Sequence, residues 1–198
     1  MSSPVSRTAA PLRVSSTRVS GRLPDFPWDT IADAKATAQA HADGIVDLSV
    51  GTPVDPVPAL IRDALAENSA FPGYPTTIGT RELREAAAGS LIRRHGVTSL
   101  DETGILPVIG TKEAIAGLAS TIGLGPGDDV VIPEVAYPTY EVSALLAGAR
   151  AVRADSTVAL GPMNPALMFI NSPSNPTGWT ADTETLRAIL DLARAHGV

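Results

Sequence analysis

The chain has 198 residues, a formal net charge of −6 and no cysteine. The acidic balance, without a dense Lys/Arg cluster to offset it, argues against a dedicated nucleic-acid-binding protein. Without cysteine, disulfides and thiolate metal sites are excluded, and three dispersed histidines do not favour a metal site. Because no apolar stretch approaches the roughly 20 residues that span a bilayer, we expect a soluble, cytoplasmic protein without a membrane partner.

The first segment, residues 1–22, contains Ser, Ala, Pro and Arg but no acidic residue. Such a composition is compatible with an organellar transit peptide, although the segment has no convincing amphipathic face. We predict a disordered tail instead. Ordered structure is expected to begin at about residue 23.

Capping residues and apolar runs predict the elements of the first half. Asp29 can cap a helix that runs to about residue 42, and residues 45–50 are typical of a short strand. A second helix is predicted over residues 58–67 and a third over 81–95, where Gly96 would end it. Residues 105–109 form an apolar run and predict the next strand.

Strands and helices alternate in the second half. Helices are predicted over residues 111–124, 138–147 and 182–195, and strands over 130–132, 151–154 and 166–170. This order favours an α/β fold with βαβ crossovers and a doubly wound, mostly parallel sheet. The last predicted helix has no return strand after it, so the sheet is expected to be incomplete at the carboxyl end.

Residues 108–113 read Val-Ile-Gly-Thr-Lys-Glu and join a predicted strand to a predicted helix. The first amides of a helix are unsatisfied donors with partial positive charge, which suits them to phosphate. Gly110 would let the backbone approach closely, and Thr111 adds a hydroxyl. Lys112 is not followed by Ser or Thr, so this is not a Walker loop. Taken alone, the segment fits a plain strand-to-helix turn, with Thr111 as the helix cap, equally well.

Residues 171–178 read Asn-Ser-Pro-Ser-Asn-Pro-Thr-Gly and directly follow the apolar run 166–170. A buried strand that breaks into such a loop places polar groups at the carboxyl edge of the sheet. That edge is where open α/β sheets hold their ligands. The loop is therefore the first candidate for a binding site.

Five strings in order make the chain similar to the pyridoxal-phosphate aminotransferases of fold type I, the aspartate aminotransferase-like class. They are Tyr74 to Arg84 (Tyr-x-x-x-x-Gly-x-x-x-Leu-Arg), Gly-Thr-Lys-Glu-Ala at 110–114, Pro-Gly-Asp-x-Val at 126–130, Pro-x-x-x-Tyr-Pro-x-Tyr at 133–140, and the loop 171–178. The family's version of that loop is Asn-Pro-x-Asn-Pro-Thr-Gly. The resemblance extends from about residue 23 to the end of the chain.

The resemblance implies a pyridoxal 5′-phosphate site and a role for each matched residue. Gly110, Thr111 and Lys112 would form the phosphate cup, mainly through backbone amides. Tyr137 would stack on the pyridine ring, and Asn175 would hydrogen-bond the phenolic oxygen of the cofactor. From the residues alone, Tyr137 is more typical of a core or rim aromatic before a proline, and Asn175 is typical of a turn asparagine before proline.

The resemblance also implies amino-acid and keto-acid substrates and a homodimer. Tyr74 matches the tyrosine that reaches the phosphate of the neighbouring subunit, and Gly51 lies in a segment that passes the substrate carboxylate. Without the resemblance, Tyr74 is interpreted as a loop aromatic and Gly51 as a turn glycine. Residues 23–50 would belong to the family's small domain and residues 51–198 to its cofactor-binding large domain.

The catalytic residues of the family have no match in the chain. Transamination needs a lysine that forms a Schiff base with the cofactor and an acid beside the pyridine nitrogen. Lys35 and Lys112 are the two lysines of the chain, and neither matches the Schiff-base lysine, which follows well after the loop 171–178. The chain is thus similar to an amino-terminal half, and we expect the purified 198-residue chain to show no turnover.

Finer resemblance points to the succinyldiaminopimelate transaminases, which exchange an amino group between glutamate and a succinylated amino-keto-pimelate in lysine biosynthesis. It rests on the strings at 22–30, 47–56 and 107–113. Other interpretations stay open at this point: another amino-acid aminotransferase or a C–S lyase of the same fold, or a non-catalytic fragment. A nucleotide-binding module is disfavoured, because no Gly-x-Gly-x-x-Gly follows a strand.

Overall fold

The computed structural model describes residues 21–156, 159 and 161–198. The predicted disordered tail, residues 1–22, lies outside the described residues except for Gly21 and Arg22. The chain divides into two compact units, Phe26–Val108 and a second one composed of Met1–Asp25 and Ile109–Val198. The predicted division between a small and a large domain at residue 50 stays a prediction.

All regular secondary structure in the unit Phe26–Val108 is helical. It contains α1 (Ala32–Gln39), α2 (Ala59–Glu67) and α3 (Arg81–His95), with short 3₁₀ turns at Asp29–Ile31 and Glu102–Gly104.

Helix α3 begins and ends at the predicted residues because local capping determines both ends. The Thr80 hydroxyl accepts a hydrogen bond from the Leu83 amide at 3.2 Å, and Gly96 adopts a left-handed φ of 67°. A side chain with Cβ is disfavoured in that conformation, so glycine ends the helix.

Three predictions for this part of the chain are wrong. Asp29 does not cap a long helix: a 3₁₀ turn comes first, and α1 begins at Ala32 and ends at Gln39. Residues 45–50 and 105–109 form no strand. The physical reason is that a strand needs a hydrogen-bonded neighbour, and no other described segment pairs with either run.

The other unit contains a parallel sheet formed by β1 (Asp129–Ile132), β2 (Arg150–Arg153) and β3 (Leu167–Met168). The strand order is β2-β1-β3, with β1 in the centre. Val130 pairs with Ala151 on one side and with Leu167 on the other. The three strands lie at the predicted places, although β3 is shorter than the predicted 166–170.

Helices α4 (Thr111–Thr121), α5 (Thr139–Ala147) and α6 (Thr183–His196) belong to the same unit as the sheet. Val130 and Ile132 pack with Tyr140 and Ala144 of α5, while Ile115 of α4 borders this cluster. Alternate residues, including Val131, point to the opposite face and line a cavity together with residues of α6. Helices on both faces of a parallel sheet confirm the predicted doubly wound α/β class.

Helices α4 and α5 meet through small residues. Ser143 and Ala119 are both fully buried, and the Ser143 hydroxyl accepts a hydrogen bond from the Ala119 amide at 3.3 Å. The bond satisfies a polar group that burial would otherwise leave without water. This contact aligns the helix that follows Gly110 with the helix that follows Tyr137.

Helix α6 begins at a carboxylate cap whose protonation should be linked to stability. Asp182 accepts a hydrogen bond from the Thr185 amide at 2.7 Å, and this bond lowers the pKa of Asp182. A carboxyl whose pKa is lower in the folded state stabilises the fold above its unfolded pKa, about 3.9. That contribution is lost as the pH falls through the folded-state pKa.

We therefore expect Asp182→Asn, which keeps a capping oxygen but does not titrate, to lose less stability on acidification below about pH 4 than the wild-type chain. Urea unfolding at a series of pH values measures this difference. Parallel pH profiles for the two proteins would contradict the linkage. Asp129, whose pKa is also lowered, keeps its own pH dependence in both.

Among the described residues, no helix combines the length and apolar character needed to cross a membrane. The same part of the chain contains no cluster of His, Cys, Asp or Glu suited to a metal ion.

Candidate cofactor site

The carboxyl edge of the sheet brings together two segments that the sequence analysis selected. Residues 133–138 follow β1 and lead into α5, and the loop 171–178 follows β3. Because β1 and β3 are parallel neighbours, both segments leave the sheet at the same edge. The Phe169 amide donates to the Val131 carbonyl at 2.9 Å, which extends the pairing toward this edge.

Three aromatic rings connect the two segments. Tyr137 meets Tyr140 edge-on, with ring centroids 5.9 Å apart and an interplanar angle of 83°. Tyr140 in turn stacks on Phe169 at 4.7 Å. Tyr140 is buried, and burial raises the pKa of its phenol. The ring of Tyr137 therefore rests on a core residue that also contacts the strand leading into the loop.

Hydrogen bonds within the loop 171–178 determine its path. The Asn171 side-chain oxygen accepts from the Asn175 amide at 2.6 Å, and the Gly178 amide donates to the Ser174 carbonyl at 2.7 Å. The loop's Ser172–Pro173 and Asn175–Pro176 peptide bonds are both cis. Asn175 is exposed, so its side-chain amide is open to solvent at the sheet edge.

The loop is also tied to the chain that follows it. The Ser174 amide donates to the Trp179 carbonyl at 2.8 Å, and the Ser172 hydroxyl accepts from the Ala181 amide at 3.0 Å. Both ends of the turn are thereby closed before α6 begins. A loop constrained in this way can present Asn175 in one orientation.

The predicted phosphate cup lies at the amino end of α4. Gly110, not Thr111, is the N-cap, and its carbonyl accepts from the Ala114 amide at 3.0 Å. Its φ of −175° is extended, so glycine is not required there by backbone conformation. The Glu113 carboxylate folds back over this position: a Cβ added to Gly110 would collide with Glu113 Oε2. The acidic side chain lies where a helix favours negative charge.

A cavity of about 470 Å³ lies between the sheet and α6, next to the same edge. Its walls are mainly apolar, with Val131 and Met168 from the sheet and Ile189 and Leu192 from α6. Asn171 and Ser174 of the loop also line it. The polar edge described above therefore borders an apolar recess, which is a common arrangement in small-molecule sites.

Tyr74 and Gly51 belong to the other unit, Phe26–Val108. The Tyr74 side chain is 100% exposed. Gly51 is exposed and has open space where a Cβ would lie. Their predicted roles, like those of Gly110, Thr111, Lys112, Tyr137 and Asn175, stay predictions.

Lys35 lies in the same unit as Tyr74 and forms an ion pair with Asp47, with Nζ 2.6 Å from Oδ2. The hydrogen bond from Lys35 is the largest of the effects that lower the pKa of Asp47 below its usual range. An exposed pair of this kind contributes little to stability.

Three residues that shape the site, Tyr140, Asn171 and Glu113, lie in the strings that the sequence analysis selected but received no individual role there. An Asx turn was detectable, because Asn171 begins a loop rich in turn residues. Glu113 follows the pattern of an acidic residue in the first helical turn. The contact of Tyr140 with Phe169 joins residues 29 positions apart, and no local pattern predicts such a pair.

The comparisons with known proteins agree on one family. Residues 43–198 match the model of aminotransferase class I and II. A probable aminotransferase of Mycobacterium tuberculosis is 60% identical over 190 residues, which cover 96% of this chain and 45% of that protein. The 4-dedimethylamino-4-oxo-anhydrotetracycline transaminase of Streptomyces rimosus is 50% identical over 175 residues, covering 88% of this chain and 48% of that one.

A solved structure extends the similarity to three dimensions. The probable N-succinyldiaminopimelate aminotransferase of Thermus thermophilus matches with a TM-score of 0.77 and 33% identity, over 86% of this chain and 50% of that one. This chain spans about half the length of the curated relatives above, 45% and 48%. By its sequence and its fold, the chain belongs to the class I and II aminotransferases.

Proposed function

We propose that this chain supplies one wall of the cofactor site of a pyridoxal-phosphate-dependent aminotransferase. The observation that carries the proposal is the convergence of Tyr137 and the loop 171–178 at one sheet edge, joined through Tyr140 and Phe169. A flat aromatic ring and an exposed amide at one edge suit a planar, polar heterocycle. When bound, pyridoxal phosphate supplies an electron sink for the amino-group transfer.

The residues at the start of α4 fit a phosphate group. The first amides of an α-helix of 11 residues point at the position of Gly110 and Thr111. Gly110 has no Cβ, which leaves room for close backbone approach once the Glu113 carboxylate moves aside. Glu113 is exposed, so its carboxylate can turn into solvent without breaking a packed core. The Thr111 hydroxyl would add one more donor.

Each side chain has a binding role in this proposal. Tyr137 covers one face of the pyridine ring and shields it from water. Asn175 donates its side-chain amide to the phenolic oxygen, with its backbone held by Asn171. None of these residues moves a proton in the reaction. The proton-transferring lysine of the family has no match in this chain, which has lysines only at Lys35 and Lys112.

For the substrate, we propose N-succinyl-2-amino-6-ketopimelate with glutamate as the amino donor. The support is the sequence strings at 22–30, 47–56 and 107–113 and the similarity to the Thermus thermophilus protein. The relative from Streptomyces rimosus acts on a different amino acceptor, by its name, so a second aminotransferase substrate is the alternative. Co-expression with the carboxyl-terminal half of the Mycobacterium tuberculosis relative, followed by glutamate-dependent turnover on a panel of keto acids, separates the two.

We propose a homodimer in which Tyr74 reaches the partner's site. The unit Phe26–Val108 exposes many large apolar side chains, among them Leu48, Val54, Leu60 and Phe71. Exposed apolar surface on this scale is typical of faces that another polypeptide covers. Sedimentation of the chain at several concentrations tests whether it forms a dimer. Tyr74→Ala should not change the folding of a single subunit, because Tyr74 is fully exposed.

The cofactor site is tested with pyridoxamine 5′-phosphate, which carries the same ring and phosphate but needs no lysine to bind. Tyr137→Ala is expected to weaken binding of the ligand by about fivefold or more. Stacking of a heterocyclic ring on an aromatic side chain is worth roughly 1–3 kcal/mol. Tyr137→Phe keeps the ring and is expected to bind like the wild type. Fluorescence titration of the ligand measures both.

Equal affinity of the wild-type chain and Tyr137→Ala would contradict the stacking role of Tyr137. A wild-type chain that binds pyridoxamine phosphate no better than pyridoxamine without phosphate would contradict the phosphate cup.

A further inference from the structure

We propose that Arg153, the last residue of β2, and Asp155, two residues further along the chain, are positioning residues that hold Tyr137 in place for the cofactor ring. This inference rests on the proposed cofactor site. Neither residue belongs to the strings that identify the family, and their hydrogen bonds reach Glu134 and Glu141 on either side of Tyr137. They act on the turn that carries it, residues 133–138.

The peptide groups of Glu134 are held from both sides. The Glu134 amide donates to Asp155 Oδ1 at 3.0 Å, and the Glu134 carbonyl accepts from Arg153 Nη1 at 2.9 Å. Glu134 lies three residues before Tyr137 in a segment without helix or strand. A segment without a hydrogen-bonded ladder is free to shift unless other groups bond to its backbone. Here the side chains of Arg153 and Asp155 do so.

Arg153 also reaches past Tyr137. Its Nη2 donates to Glu141 Oε2 at 2.8 Å, in the first turn of α5. One guanidinium therefore contacts the chain both before and after Tyr137. Arginine suits this task because its donors point in fixed, planar directions. A lysine could not bond both acceptors with the same geometry.

The contacts have the character of positioning rather than of stability. Arg153 and Glu141 are 44% and 34% exposed, so water screens their ion pair and its contribution to folding is small. The aromatic contact with Tyr140 restrains the Tyr137 ring from one side only. We call the hydrogen bonds of Asp155 and Arg153 to the Glu134 backbone the Glu134 clamp. This clamp restrains the backbone of the turn that carries Tyr137, whereas the ring contact restrains only the side chain.

The chain offers a matched control on the same two strands. Arg150 and Asp129 lie at the amino ends of β2 and β1 and form a two-pronged ion pair, with distances of 2.7 and 2.8 Å. Residues of the same types thus form a side-chain ion pair at the end of the sheet away from Tyr137, without bonds to the turn 133–138. Substitutions of this pair probe the general effect of losing a surface ion pair.

The experiment combines two readouts on the full chain. The first is hydrogen exchange of the Glu134 amide, which requires no ligand. The second is pyridoxamine 5′-phosphate affinity together with the circular dichroism that the protein induces in the bound ring. The variants are Asp155→Ala, Asp155→Asn, Arg153→Ala and, as controls, Asp129→Ala and Arg150→Ala.

We expect Asp155→Ala to speed exchange of the Glu134 amide about tenfold and to weaken ligand binding about fivefold, with a smaller induced signal. Asp155→Asn, which keeps an acceptor oxygen, is expected to restore both. Arg153→Ala should weaken binding to a similar extent. The control variants should bind like the wild type, even where their unfolding midpoint falls.

Any of four results would overturn the inference. If Tyr137→Ala weakens binding while Asp155→Ala and Arg153→Ala bind like the wild type, the cofactor site stands and the clamp has no positioning role. If the control variants weaken binding as much as the clamp variants, the effect is general destabilisation. If Tyr137→Ala itself has no effect, the proposed function fails, and unchanged Glu134 exchange in Asp155→Ala would separately remove the clamp.

Discussion

Replacing Gly110 with alanine is expected to reduce the affinity for pyridoxamine 5′-phosphate tenfold or more while leaving the fold intact. An added Cβ at this position occupies the space that the phosphate needs beside the first amides of α4. A hydrogen bond to a charged group is worth roughly 1.5–3 kcal/mol, and each 1.4 kcal/mol is a tenfold change. Fluorescence titration of the ligand measures the loss.

The stability of Gly110→Ala should change by less than about 1 kcal/mol. The extended φ of −175° is accessible to alanine, and the atom that a Cβ would meet is the far end of the flexible Glu113 side chain. Gly117→Ala, in the middle of the same helix, is the matched control: its Cβ would have Thr121 Oγ1 at 3.9 Å, an ordinary contact, and binding should not change.

A double variant separates the two possible causes of the loss. In Gly110→Ala with Glu113→Ala, the collision is removed but the Cβ remains. Continued loss of binding supports close backbone approach at Gly110. Recovery of binding would show that the displaced carboxylate was the obstacle and would contradict the role assigned to Gly110.

Truncation of Ile132 to alanine is expected to destabilise the unit that contains the sheet by about 2–5 kcal/mol. Ile132 is 0% exposed and packs in the main core cluster, where its removal leaves a cavity that the strands cannot close. Net stabilities of domains are only about 5–15 kcal/mol, so the variant should lie close to unfolding at 37 °C. Urea denaturation followed by far-UV circular dichroism measures the change.

Two further isoleucine variants calibrate that result. Ile132→Val should cost only about 0.5–1.5 kcal/mol, because one methylene is lost. Ile109→Ala removes a side chain that is 99% exposed, and its effect should stay within about 0.5 kcal/mol. An Ile132→Ala variant as stable as Ile109→Ala would contradict the assignment of Ile132 to the core.

The consequence for function follows from the position of Ile132. It is the last residue of β1 and immediately precedes the turn that carries Tyr137. Looser packing around the cavity left by Ile132→Ala should therefore weaken ligand binding even where the chain remains folded. Ile109 lies on the surface of the same unit and does not pack beneath the turn that carries Tyr137. Ile109→Ala should therefore not weaken ligand binding in this way.

Helix ends illustrate what could be predicted from local residues. Thr80 and Gly96 limit α3, which the sequence predicts over 81–95 with Gly96 at its end. Asp182 and Gly197 limit α6, which the sequence predicts over 182–195. In each case the capping residue forms its hydrogen bond with a residue only three or four positions away in the sequence. A capping hydrogen bond or a left-handed glycine needs no information from the rest of the chain.

Strands illustrate the opposite case. The apolar runs 45–50 and 105–109 have the composition of strands, yet neither pairs with another segment in the described part of the chain. The run 166–170 is entirely apolar, and its residues Leu167 and Met168 pair with Val130 and Val131. Pairing depends on a partner far along the chain, so an apolar composition alone does not determine which run forms a strand.

For the candidate site, the sequence by itself determined the family resemblance, the polar loop 171–178 and the glycine at the start of α4, because each is a short contiguous motif. Only the tertiary structure decided that Tyr140 and Phe169 join the Tyr137 turn to that loop, and that Arg153 and Asp155 hold the Glu134 peptides. The contacts of Tyr140 with Phe169 and of Glu134 with Arg153 and Asp155 join residues that lie 19 to 29 positions apart in the sequence. They exist because β1 lies between β2 and β3, and that strand order follows from packing of the whole sheet.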